Sequence, residues 1–169
     1  LIDARRLTGP NLLSFQPLVA AEIALDPGES LARAIAAWEG ELGRMRQALA
    51  WPVHTEVPQQ VRPHQGGALL TFFEPIDTML AATELTEWAV LSAIEVLEGR
   101  PPLALEPKRT ELEGMRASQR CPQLLELQAE ARRRALPLLW DDEQVTVGSG
   151  AKSRTFPRAA VPGVGEVPW

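Results

Sequence analysis

The chain has a single cysteine, Cys121, and only two histidines, His54 and His64. One cysteine excludes an internal disulfide and any multi-cysteine metal site. The two histidines are flanked by prolines, and no carboxylate is placed as a third ligand, so the set is too small for a zinc centre. Either could act as a general base, but no nucleophile accompanies it. Basic residues are outnumbered, 17 Lys and Arg against 22 Asp and Glu, for a net charge of −5. That balance argues against a general nucleic-acid or anionic-membrane partner. No apolar run approaches the roughly 18 residues that cross a bilayer. The chain opens on Leu1 rather than Met, and Asp3, Arg5 and Arg6 interrupt anything resembling a signal peptide. The expectation is a cytoplasmic protein, which the lone cysteine also fits.

What is present suits one globular domain. The 169 residues are 45% apolar and 23% charged, enough for a chain of this size to bury about two-thirds of its unfolded surface. Leu1–Leu7 reads as a strand closed by the turn signal Thr8–Asn11. Val19, Ala21, Ile23 and Leu25 alternate along a second strand. Asp26, Pro27 and Glu29 carry helix-start chemistry, and Leu31, Ile35, Trp38, Leu42, Met45 and Leu49 make one apolar stripe. Val53–Val61 reads as a strand that Pro58 confines to an edge or a bulge. Ala68–Phe73, apolar on both faces, reads as a central strand. Ile76–Glu98 reads as a helix with Leu80, Leu85, Trp88, Leu91 and Ile94 inward, stopped by Gly99 and Pro101. A short charged helix over Thr110–Gln119, a second from Cys121 to Arg134, and a hairpin turning at Asp141–Gln144 complete the pattern. The predicted fold is α+β: an antiparallel sheet of about four strands with two long helices on one face, plus a C-terminal helical segment and hairpin. The order strand, strand, helix occurs twice, with no matching sequence repeat.

The end of the chain has a different character. After Val145–Val147 come Gly148 and Gly150, then Lys152, Arg154 and Arg158, then Pro and Gly residues ending on Trp169. Residues 1–147 read as a single domain, and 148–169 as a basic, Gly/Pro-rich junction toward a catalytic region. The Gly148–Ser153 stretch invites comparison with a phosphate loop, but Ala151 separates Gly150 from Lys152, and Phe156–Pro157 leaves no room for the required helix. Glu84 and Glu87 lie one helical turn apart, a spacing seen in carboxylate metal sites, yet no histidine or second pair accompanies them. Asp141, Asp142 and Glu143 could hold Mg²⁺, and Cys121 could cap a helix; a charged hairpin tip and a half-buried thiol are the plainer readings. No catalytic, cofactor-binding or metal-binding residue is assigned.

Three stretches carry a family resemblance. Leu7–Ser14 (LTGPNLLS) resembles the RGPN-x-x-S segment of cyanophycin synthetases, and Glu84–Leu91 (ELTEWAVL) their HIVEHVALEL helix. Arg132–Trp140 with Val145–Lys152 resembles their RGIPWIRLND…VQLGYG segment. The match is closer to the leader domain of cyanophycin-synthetase-like Mur ligase family proteins. There a WDDDEVSVGLG…S.TWP segment precedes the ligase P-loop, and Trp140–Gly148 with Ser153–Pro157 resembles that segment. The GTNGKT loop itself is not in the chain, and Trp88 stands where the family has His.

The resemblance implies a non-catalytic N-terminal domain of an ATP-dependent amide ligase, binding substrate or polymer or docking on the ligase catalytic domain, fused or separate. ATP and Mg are then expected only in that ligase core. Asn11, Glu84, Glu87, Trp88, Lys152 and Arg154 are the candidate contacts. Two alternatives are a homo-oligomerisation domain that uses the helices carrying Trp38 and Trp88, and a small enzyme built on His64, Glu84 and Glu87.

Overall fold

Val19, Ala21 and Ile23 share one sheet face with Ala68, Leu70 and Phe72 of the neighbouring strand, and all are buried. These strands, β2 (Leu18–Ala24) and β4 (Gly67–Phe73), are central in a four-stranded antiparallel sheet. The computed structural model describes residues 1–9, 11–14, 16–52 and 59–169. β1 (Asp3–Leu7) and β3 (Gln60–His64) are the edges, in the order β1-β2-β4-β3. Most of the strand expected over Val53–Val61, with Pro58 and His54, lies outside the described residues.

Two long helices, α1 (Leu31–Ala48) and α2 (Met79–Leu97), pack on one face of this sheet and against each other. The α+β class read from the sequence is therefore the one observed. α1 starts later than its Asp26 signal implied. Ser30 is the N-cap, its hydroxyl accepting the Arg33 N–H at 3.4 Å. Asp26 and Glu29 instead close their own turn, the Asp26 N–H donating to Glu29 Oε2 at 2.7 Å.

In α2, Leu85 and Trp88 are buried as expected and Ile94 partly so, but two of the expected inward residues are not. Leu80 and Leu91 are 37% and 48% exposed, while Ala81, Ala82, Ala89 and Ala93 are buried. The helix is apolar nearly all round, so its pattern fixes no single face. Burying the alanines lets α1 and the sheet approach closely.

The two strand–strand–helix units are related by a quasi-two-fold axis. The β2–β4 register centres on Ala21 opposite Leu70, so Leu18–Ala24 maps onto Gly67–Phe73. The hairpin registers then carry Asp3–Leu7 onto Gln60–His64. The helices follow, with N-caps at Ser30 and Thr78. Trp38 and Thr86 occupy matching positions after those caps, and Trp38 Nε1 donates to Thr86 Oγ1 at 3.2 Å across the axis. The halves differ in their hairpin connections: a long loop leaves β1, whereas Gly66, at φ 82°, makes the tight turn after β3.

α3 (Leu105–Gln119), longer at its start than expected, runs back along α2. Its last residue caps that helix: Gln119 Oε1 accepts the Leu80 N–H at 3.0 Å, meeting a donor that no helical carbonyl can reach. α4 (Pro122–Arg133) follows, with Leu124, Leu127 and Ala131 buried. The hairpin expected at the C-terminus is present as β5 (Leu138–Trp140) and β6 (Gln144–Val147).

The stretch read as a junction adds a third strand, β7 (Arg154–Pro157), giving the sheet β5-β6-β7. Val167 is 6% exposed and joins the same continuous core as Trp38 and Leu127. The tail thus packs on the domain, because β6 offers a free edge and α4 an apolar side.

Candidate functional site

The two sheets meet where β1 ends. Arg6 donates to both carboxylate oxygens of Asp142, at 2.7 and 2.9 Å, and lies 5.9 Å from the centre of the Trp140 ring. Arg158 covers the same ring at 4.6 Å and reaches Asp142 at 3.4 Å. The acidic hairpin turn, read as a solubilising tip or an Mg²⁺ site, is therefore engaged by two guanidinium groups. The bidentate Arg6 bond holds the Asp142 carboxyl below its usual range, and Asp142 in turn raises the pKa of Arg6. Asp141 has a separate task, its Oδ1 accepting the Glu143 and Gln144 N–H groups at 2.8 Å.

Beside this junction is a groove of about 70 Å³, between the loop after β1, the end of α4 and the entry to β5. Its walls include Gly9, Gln128, Arg132 and Pro137. Gly9 is the point of closest approach: a Cβ there would lie 2.7 Å from Leu139 Cδ2. Arg132 donates across the groove to Gln16 Oε1. Its neighbours Arg133 and Arg134 both turn to Glu130 and hold that carboxyl at a pKa of about 2. Of this cationic run, only Arg132 is directed at the groove.

The six residues proposed as contacts do not form one site. Asn11 organises the loop after β1, its Oδ1 accepting the Leu13 and Ser14 N–H groups at 2.8 and 3.1 Å and its Nδ2 donating to the Gly9 carbonyl. Glu84 and Glu87 sit together on α2, with Lys108 donating to Glu84 Oε2 at 2.8 Å. Partial burial, then the Glu84 charge, raises the Glu87 pKa, and Lys108 opposes this. Trp88 is 6% exposed, with the Arg44 guanidinium 4.9 Å above its ring. Lys152 and Arg154 are exposed at the start of β7, where Gly150–Lys152 is a single 3-10 turn leading into a strand and not into a phosphate-binding helix.

His64 lies on the opposite edge strand from β1, its Nε2 3.8 Å from Glu22, and among the described residues it meets neither Glu84 nor Glu87. No group of three or more His, Cys, Asp or Glu able to hold a metal occurs among the described residues. Trp38 and Trp88 are both buried within the chain.

No protein-family model matches the chain, and no curated protein is significantly similar to it. The site is therefore argued from its own geometry. Sequence reasoning missed Arg6, Gln16 and Arg158. Nothing in the local pattern of Arg6 or Gln16 announces a partner more than a hundred positions away, and Arg158 lies 16 positions from Asp142; the adjacent acids at Asp141 and Asp142 were the available signal for a recruited cation.

Proposed function

We propose that this chain is a non-catalytic module that binds substrate or polymer, or docks against the core, of a cyanophycin-synthetase-like ATP-dependent amide ligase of the Mur ligase kind. The observation that carries the reading is the convergence of the segments bearing the resemblance. Residues 7–14 and 132–140 supply opposite walls of the groove, with Gly9 against Leu139 and Arg132 bonded to Gln16. The segment 84–91 lies in α2, which packs along β1 just ahead of that loop. Segments far apart in the chain and adjacent in space fit a single recognition surface better than independent structural coincidences.

The groove suits an extended, charged chain more than a reacting small molecule. Arg132, one nitrogen of which donates to Gln16, offers the rest of its fork for a carboxylate. The test is co-sedimentation of the purified chain with insoluble cyanophycin, run beside an ATP-hydrolysis assay. The expected result is retention in the pellet, weakened in Arg132→Ala, with no ATP turnover. ATP turnover by the chain alone that is lost in Glu87→Ala would overturn the reading, as would failure to bind both the polymer and a ligase core.

A further inference from the structure

The quasi-two-fold axis relates the C-terminus of α1 to that of α2 residue for residue. Leu49, Ala50 and Trp51 donate backbone N–H groups to Met45, Gln47 and Arg46; Glu98, Gly99 and Arg100 donate to Ile94, Val96 and Glu95. Ala50 and Gly99 take the same left-handed turn, at φ 49° and 76°. Beyond that point the halves diverge. Trp51 turns inward and is 6% exposed, and nearby Arg46 pairs with Glu74 at 2.7 Å over the ring of Phe72. In the second half the matching residues are Arg100, Glu95, Leu25 and Ile23. Arg100 turns outward and pairs with Glu95 and Glu98, so the residue matching Trp51 does not fill that end.

The result is an open cleft of about 80 Å³ between the sheet and the two helices. Ile23 and Leu70 form its floor, Trp38 and Ala93 its walls, and Glu29 and Glu98 stand among its lining. Among the described residues the charged side chains lining it are those two carboxylates, Glu98 shared with Arg100 and Glu29 with the Asp26 N–H.

We infer that this cleft binds a small aromatic amine. The ring takes the inward position that the second half leaves empty, and the ammonium meets Glu29 and Glu98. The apolar floor supplies affinity through burial of the ring. The carboxylates select the cation over a neutral or acidic analogue, since a like charge there would be repelled. This inference stands apart from the ligase reading and from the groove at Gly9.

Tryptamine tests it, with indole-3-propionate as the acidic comparator and indole as the neutral one, by titration calorimetry and by the methyl NMR shifts of Ile23 and Ile94. The expected result is saturable tryptamine binding that moves both methyls, weaker for indole-3-propionate by about fivefold or more, as for one partly exposed charge pair. Glu29→Gln with Glu98→Gln, both at exposed positions, should erase that preference and leave indole binding intact. Ala93→Phe should abolish binding by filling the cleft, and Ala34→Leu serves where that variant does not fold. No binding, equal binding of amine and acid, or shifts confined to methyls remote from the cleft such as Ile76 would each overturn the proposal.

Discussion

Arg6 and Asp142 form a two-pronged bond, at 2.7 and 2.9 Å, between the first strand of one sheet and the hairpin turn of the other. The bond also fixes Arg6 beside the buried Trp140 ring, so the two sheets are held by charge and by aromatic packing at one point.

The pH dependence follows from the direction of the shift. The Asp142 carboxyl sits below its ordinary value of 3.8 in the folded chain. Its contribution is therefore complete above that value and is lost as the pH falls through the lower folded value. The Asp142 side chain is 62% exposed, so screening limits the contribution to about 1 kcal/mol. Asp142→Asn should lower urea-unfolding stability by about that amount at pH 7 and by much less near pH 2. An equal loss at both values would mean that packing, not charge, sets the effect.

Trp38 is 1% exposed and contributes its indole N–H to Thr86 across the quasi-two-fold axis. Trp38→Ala should cost about 3–5 kcal/mol, combining lost burial with a cavity between the helices. Thr86→Val keeps the shape and strands only the indole N–H, so it should cost about 1–3 kcal/mol. Chemical denaturation of both variants checks the order; a near-neutral Trp38→Ala would contradict the packing of α1 on the sheet.

Neighbouring glycines in the β3–β4 turn should respond very differently to a methyl group. A Cβ on Gly67 would lie 1.9 Å from the Ile23 carbonyl oxygen, which belongs to the adjacent central strand and cannot move alone. A Cβ on Gly66 meets nothing within 4 Å, and only its φ of 82° opposes the change. Gly67→Ala should cost about 2–3 kcal/mol, as overpacking does, against about 1 kcal/mol for Gly66→Ala. Thermal melts of the pair decide this, and equal losses would argue against the β2–β4 register.

The sequence was most legible where a pattern was local. Leu18–Ala24 alternates and Trp38, Leu42 and Met45 recur at helical spacing, so β2 and α1 fall where they were expected. α2 shows the limit. With apolar residues on every side, only the positions of α1 and the sheet choose the alanine face over Leu80 and Leu91. The quasi-symmetry was visible as an order of elements but not as a repeat, because it resides in strand register and helix caps. Asn11 was singled out for a partner and serves its own loop. Arg6 was passed over because its partners are distant in sequence.

The same reasoning applies most sharply to the tail. Its prolines and glycines looked like a junction, and their spacing gave no hint of burial. Yet Val167 is 6% exposed in the common core, and Trp169 lies under Arg134 at 4.6 Å with its Nε1 donating to the Val164 carbonyl at 3.0 Å. The 3-10 turn Val164–Glu166 that carries Val167 packs on α4. Val167→Ala should therefore cost about 1–2 kcal/mol, the usual loss for trimming a buried aliphatic group. It should also speed amide exchange in α4 more than in α1, because α4 is the helix the tail covers. Hydrogen exchange resolved by residue measures this, and a tail that exchanges freely in the parent chain, with α4 unaffected by Val167→Ala, would restore the reading of 148–169 as a junction.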